Sequence, residues 1–344
     1  MTTHDVKTAT PEIKENDIRP AAIFERYLEL SRRDAEGLFA DRSTFEDVAC
    51  QGCGGNRAEA SFVKASFQYV RCPQCGTLFV SPRPGREALD AFYGDSESAT
   101  YWAETFFPAS IEARREKLFV PRVDRILSLM ADRSARLTSV VDVGAGYGVF
   151  LEELHRRAPH MAASAIEPGR KLAAICKGKG FDTLESPVEQ AAAWAGRADL
   201  VVCFEVLEHV HSTLEFVHAL CRLAAPGGWL IVTSLCADGL DIQTLWDRSN
   251  SVSPPHHLNF MSVDGFTSLF RRAGLEQVEV VTPGRLDVDI LRNAWLADPS
   301  VLDNHRFLRT LLERRDTAVH QAFQDFLAAN RLSSHAWVIA RKPL

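Results

Sequence analysis

The sequence predicts a doubly wound α/β fold with a small four-cysteine ribbon ahead of it. Three observations carry that reading. From residue 138 onward, short apolar strands alternate with helical stretches. One strand, Val140-Val141-Asp142-Val143, runs into Gly144-Ala145-Gly146-Tyr147-Gly148 and then a helix. Four of the eight cysteines form two tight pairs, Cys50-Gln-Gly-Cys53 and Cys72-Pro-Gln-Cys75.

Taking the elements in order, residues 1–20 are polar and are expected to be disordered, and 21–40 read as an amphipathic helix. Together, 1–44 form an N-terminal tail and short helix, followed by the ribbon at 45–81. Ser81-Pro82-Arg83-Pro84-Gly85 reads as a stiff linker into a helical, aromatic-rich linker or lid at 82–137, with Phe92, Tyr93, Tyr101, Trp102, Phe106 and Phe107. The main domain spans 138–285. Its strands are SVVDVG, ASAIEP, FDTL, LVVCFEV and WLIVTS, separated by the helices FLEELHRRA, RKLAAICKGKG and a stretch around 213–225. Apolar strands alternating with helices indicate a parallel sheet of βαβ units. Residues 286–344 supply a helical region around 300–332 and a final strand, HAWVIAR, completing the sheet.

Composition narrows the function classes. The 344 residues exceed what one average domain needs, so a main domain with an appendage is the natural organisation. The formal net charge is −6. The arginines between Arg114 and Arg136 are interleaved with Glu112, Glu116, Asp124 and Asp132, leaving no electrostatic footprint for nucleic acid or an anionic membrane. The N-terminus lacks a signal-type apolar core, and no 18-residue apolar run occurs. A cytoplasmic protein without membrane insertion is expected.

Each cysteine pair places two thiolates close enough to grip one ion, and the following glycine (Gly54, Gly76) permits a tight knuckle. With SFVKASFQYVR as a strand-like spacer, Cys50, Cys53, Cys72 and Cys75 would form a tetrahedral structural zinc site. The alternative is disulfide pairing, which a cytoplasmic chain disfavours. Ribbon and main domain are expected to have separate cores.

A glycine-rich strand–helix turn suits several nucleotide-binding folds. A dinucleotide fingerprint would need a glycine at position 149, where the chain has Val149. The segment instead resembles the first motif of class I S-adenosylmethionine methyltransferases. The next strand ends in Glu167, the fourth in Glu205-Val-Leu-Glu208-His209, and Pro226-Gly227-Gly228 leads into the fifth, all in that family's order. The resemblance implies a Rossmann-like sheet and S-adenosyl-L-methionine as cofactor. It implies Asp142, Gly144, Ala145, Gly146, Tyr147, Glu167 and Glu205 as cofactor-binding residues, with Glu167 accepting from the ribose hydroxyls. No residue among Glu185 to Val188 is a clear match for the family's adenine contacts.

Methyl transfer to a sugar hydroxyl, or to a carbon beside a carbonyl, needs a base. The loop Ser253-Pro254-Pro255-His256-His257-Leu258-Asn259-Phe260 follows a strand end, where open α/β sheets bind ligands. His256 and His257 are therefore the catalytic candidates, the alternative being that they only shape the loop; His209 is next. The ribbon, SPRP, DVGAGYG and PPHHLNF together resemble bacterial methyltransferases of sugar and surface-polysaccharide biosynthesis. The small-molecule acceptor expected from that resemblance is a nucleotide-linked or glycan sugar. The Glu205/Glu208/His209 segment also resembles ubiquinone-pathway O-methyltransferases, where a divalent metal can assist; those enzymes lack the ribbon. Ribosomal-RNA guanine methyltransferases also carry an N-terminal zinc module, but only Arg57, Lys64 and Arg71 are cationic between the cysteine pairs, so nucleic acid is not expected.

Overall fold

Alternating apolar residues decide the layers of this molecule. In the computed structural model, residues 12–344 are described. The disorder expected at the N-terminus lies outside them for residues 1–11. Residues 12–20 are ordered, contrary to expectation: α1 (Glu15–Ile18) buries Ile18, while Ile13 is buried just ahead of it. Then follows α2 (Ala21–Leu38).

The ribbon is built from β1 (Glu59–Lys64), β2 (Phe67–Arg71) and β3 (Leu78–Val80). The spacer between the cysteine pairs is a hairpin rather than one strand, because Ala65 and Ser66 both take positive φ and turn the chain back. A helical cap comes next, with α3 (Arg86–Asp95), α4 (Glu97–Tyr101), α5 (Phe107–Arg114) and α6 (Val120–Asp132). Two π-helical turns, Trp102–Phe106 and Arg115–Phe119, join the last three into one continuous run.

The main domain continues with β4 (Ser139–Val143), α7 (Val149–Arg157), β5 (Ala162–Ile166), α8 (Arg170–Gly178), β6 (Asp182–Leu184), β7 (Ala198–Phe204), α9 (Thr213–Leu223) and β8 (Ala224–Leu235). After it come α10 (Leu240–Leu245), β9 (Asn259–Phe260), α11 (Val263–Arg272) and β10 (Glu276–Val281). The chain closes with α12 (Asp287–Ala297), α13 (Arg306–Arg314), α14 (Thr317–Ala329) and β11 (His335–Arg341).

Seven strands form the main sheet in the order β10-β11-β8-β7-β4-β5-β6. The five from β8 to β6 are parallel, and β11 is antiparallel to both neighbours. Along β7, Val201 and Cys203 face a core with Phe216, Leu220 and Phe270 of α9 and α11. Leu200 and Val202 face the other core, with Ile126, Met130, Phe150 and Leu154 of α6 and α7. Because successive side chains point to opposite faces, a strand buried on both must be apolar throughout. The order reverses at β4, which pairs β5 on one side and β7 on the other, and ligands bind outside the carboxyl ends at such a point.

The ribbon keeps a small cluster of its own, Val70 and Phe79 packed against the cysteines, but its core is not separate from that of the main domain. Strand β3 pairs β9, and Phe67, Tyr69, Leu78 and Val80 share one core with Leu235, Ile242, Leu258 and Phe260. Nor is 81–85 a spacer. Arg83 is fully buried and donates to the carbonyls of Val80 and His211 and to Asn259 Oδ1, each at 2.9 Å.

Candidate functional site

Strand β4 ends in a turn whose three glycines, Gly144, Gly146 and Gly148, all have positive φ. A Cβ on Gly144 would meet Val206 Cγ2 at 2.6 Å, whereas a Cβ on Gly146 would meet nothing within 4 Å. Gly144 is therefore fixed by packing, and Gly146 borders open space. Glu167, at the end of β5, is 7% exposed and accepts from Gly146 N and Gly169 N, both at 2.8 Å. Burial pushes its carboxyl above the usual range, against those two backbone bonds. Asp142 is buried, its Oδ1 has no hydrogen-bond partner, and burial followed by the Glu167 charge raises it to about 8. An orphaned acceptor, an open glycine turn and a carboxylate beside it fit a ligand carrying hydroxyl and ammonium donors.

Five of the residues expected to bind cofactor therefore cluster around Glu167, since Tyr147 and Ala145 belong to the same turn. The Tyr147 ring stacks on Phe107 at 5.1 Å and its hydroxyl donates to the Ala103 carbonyl, so the helical cap closes over the turn. Glu205 follows β7, one residue before the Val206 that packs on Gly144. Its Oε1 accepts from Thr233 Oγ1 at 2.5 Å, faces His335 Nε2 at 2.8 Å and approaches Arg122 Nη2 at 3.7 Å. Sequence reasoning missed Arg122. It is 8% exposed, packs over Phe204 at 4.4 Å and, among the described residues, has only that long approach to Glu205 as an ionic contact. Arginine in a mixed helix gives no local signal of burial.

The double-histidine loop is held from several sides. His256 is 4% exposed, its Nε2 bonds Ser98 Oγ at 3.0 Å, and it packs on Phe92 and Tyr27 at 4.7 and 5.4 Å. Burial holds it well below the usual imidazole range. His256 is thus enclosed under the cap. His257 Nδ1 donates to the Ser251 carbonyl at 2.5 Å, and burial lowers this imidazole to about 3. His209 bonds Tyr93 through Nδ1 at 3.0 Å and is lowered to about 4, again by burial. The structure brings one donor atom each from Glu208, His209 and His257 within 4.8 Å of one another. Ser234 donates to Glu208 at 2.8 Å, and burial with the Glu205 charge raises Glu208 to about 8.

All four ribbon cysteines converge. Cys50 and Cys75 sulfurs lie 3.5 Å apart and those of Cys53 and Cys72 3.6 Å, pairing across the two knuckles. Those spacings exceed a disulfide bond of about 2.05 Å. They approach the roughly 3.8 Å edge of a tetrahedron whose metal–sulfur distance is about 2.3 Å. The donor set fits zinc.

Residues 112–280, just under half of the chain, match the family described as a methyltransferase domain. Among curated relatives, the ubiquinone biosynthesis O-methyltransferase of Erwinia tasmaniensis is 35% identical over 102 residues, covering 28% of this chain and 42% of that protein. The same-named protein of an Escherichia coli O157:H7 strain is 35% identical over 120 residues, covering 33% and 50%. The chain thus spans about half the length, or less, of these relatives. Among solved structures, the plantazolicin methyltransferase BamL aligns with a TM-score of 0.50 at 11% identity, covering 75% of this chain and 96% of that one, a likeness of fold. Glycine turn, switch point and family match agree: the chain carries a methyltransferase domain, whose body is the doubly wound sheet.

Proposed function

We propose that this protein transfers a methyl group from S-adenosyl-L-methionine to a small molecule, most simply a nucleotide-linked or glycan sugar. The observation that carries the cofactor is the open face of Gly146 beside Glu167 and the orphaned Asp142. When bound, the cofactor supplies an electrophilic methyl on a sulfonium. Glu167 would hold the ribose hydroxyls, and Arg122 is placed to meet an anionic carboxylate. The cap formed by α3 to α6 would exclude water, with Tyr147 as its contact to the turn. The sugar acceptor rests on the sequence resemblance. Zinc on Cys50, Cys53, Cys72 and Cys75 would be structural, because all four positions are thiolates and none is open.

One observation favours a second reading. Glu208, His209 and His257 form a two-imidazole, one-carboxylate donor set, and the second nitrogen of each imidazole is occupied by Ser251 or Tyr93. Such outer partners orient metal-binding histidines. A divalent ion there would suit O-methylation of a quinone-pathway catechol. Among the described residues no helix is long and apolar enough to cross a membrane.

The test uses methyl-labelled S-adenosylmethionine with a nucleotide-linked sugar, a catechol and an extract of soluble cell metabolites. Label in a sugar supports the first reading, and label in the catechol that chelator abolishes supports the second. Absence of cofactor binding by calorimetry would overturn both. Elemental analysis is expected to give one zinc per chain.

A further inference from the structure

Of the expected base residues, His256 is buried with Nε2 on Ser98, while His257 and His209 each hold one ring nitrogen on a neighbour and turn the other toward Glu208; burial lowers all three. A fourth imidazole is placed differently. His335 is the first residue of β11, and because β11 runs antiparallel to β8 its start lies at the carboxyl ends of the parallel strands. That is the ligand side of the sheet.

We propose that His335, held by Glu205, is the general base that takes the proton of the acceptor's hydroxyl. This rests on the methyl-transfer reading above. His335 Nε2 lies 2.8 Å from Glu205 Oε1, so Nε2 carries the proton and Nδ1 presents its lone pair. Nδ1 has no hydrogen-bond partner among the described residues. The His335 and Glu205 side chains are 30% and 39% exposed, so solvent and a small ligand reach them. Glu205 also adopts φ +54°, a backbone strain for a non-glycine residue that aims its carboxylate at His335.

The surrounding charges support the pair. Burial opposes ionisation of Glu205, but the imidazolium form of His335, Arg122 and the Thr233 hydroxyl outweigh it and hold this carboxyl well below its usual range. Arg122 on α6 and the more distant Arg114 add positive charge, while Glu208 faces Glu205 from the loop after β7. An ionised Glu205 fixes the ring and stabilises the imidazolium formed when Nδ1 takes a proton. In the step, the acceptor O–H bond breaks, its proton goes to Nδ1 and the electron pair stays on oxygen. The new O–CH3 bond forms with that pair, and the electrons of the breaking C–S bond remain on sulfur.

Two measurements decide it. Without cofactor, nitrogen-15 NMR of histidine side chains should show His335 with a protonated Nε2 and a bare Nδ1, assigned by loss of the signals in His335→Gln. Glu205→Gln should disturb that tautomer. A protonated Nδ1 in the neutral ring would overturn the proposal. With the acceptor identified by label transfer, His335→Ala should lose about 100- to 10,000-fold in turnover at nearly unchanged cofactor affinity. Added imidazole should restore part of the rate. Near-wild-type turnover in His335→Ala, or a lost rate that imidazole does not rescue in a variant with native circular dichroism, sinks the base assignment alone. A wild-type protein that labels no acceptor sinks the methyl-transfer reading instead.

Discussion

The glycine turn after β4 and the loops after β7 and before β9 are the two halves of the proposed site, built in different ways. The turn is local. Five consecutive residues, Gly144 to Gly148, and a carboxylate 21 residues beyond Gly146 make nearly all of it. The opposite half is assembled from afar: Tyr93 from the cap, Glu205 to His209 after β7, His257 from the loop before β9, and His335 from the last strand. A local half can be read as a motif. An assembled half is defined only by the topology that gathers it, and its stability belongs to the whole fold.

The largest expected effect breaks the local half alone. Gly146→Val places a branched side chain in the open space and demands φ +54° of a β-branched residue, so cofactor affinity should fall beyond about 100-fold. Glu167→Ala should weaken it by about 1.5–3 kcal/mol, the range for hydrogen bonds to a charged group. Calorimetry measures both. An unchanged affinity in a folded Glu167→Ala protein would remove that carboxylate from the cofactor site.

How far the sequence could be read follows the same division. The strands, the parallel order implied by βαβ alternation, the glycine turn and the converging cysteines were legible because each rests on short-range periodicity or spacing. Arg122 and His335 were not, since one is an arginine in a mixed helix and the other merely opens a strand. His256 and His257 looked alike in sequence, yet one is sealed under Phe92 and Tyr27 while the other turns toward His209. The ribbon's dependence on the main domain was also hidden. Its apolar residues alternate as a small core would, and only the pairing of β3 with a two-residue strand reveals the shared one.

A smaller effect tests what holds the assembled half. Asp241 on α10 is fully buried, and neither of its oxygens has a hydrogen-bond partner among the described residues. Burial, then the nearby Asp287, raises Asp241 to about 8. Below the ordinary carboxylate pKa of about 4 the folded and unfolded chains both hold this proton, and the stabilisation is fully present. As pH rises toward 8 the unfolded chain loses the proton first, and the stabilisation is lost progressively. Asp241→Asn keeps the shape without the titration. In urea unfolding it should reduce the stability lost between pH 5 and pH 8.5 by about 1–2 kcal/mol. The remaining slope includes Asp142, Glu208, Glu167 and Asp238, which are raised in the same direction. An unchanged slope would mean that Asp241 is ionised and held by other means.

The smallest effect sharpens the comparison most, because it separates the two halves within one folded protein. The Tyr69 hydroxyl, on β2 of the ribbon, donates to the His257 carbonyl at 2.6 Å, and Val80 N donates to the Leu258 carbonyl at 2.9 Å. The ribbon therefore grips the backbone of the loop that carries His257, while nothing in it touches the glycine turn. Tyr69→Phe removes one hydrogen bond and leaves the ring stacked on Phe62 at 4.9 Å. The loss in stability should be about 0.5–1.5 kcal/mol. Because His257 Nδ1 is tied to Ser251 by a second bond, the loop should shift rather than unfold. Turnover should fall severalfold while cofactor affinity stays at the wild-type value. Equal losses in turnover and cofactor affinity would show that the ribbon supports the whole domain and not the acceptor side. A stability loss with neither would reduce Tyr69 to packing.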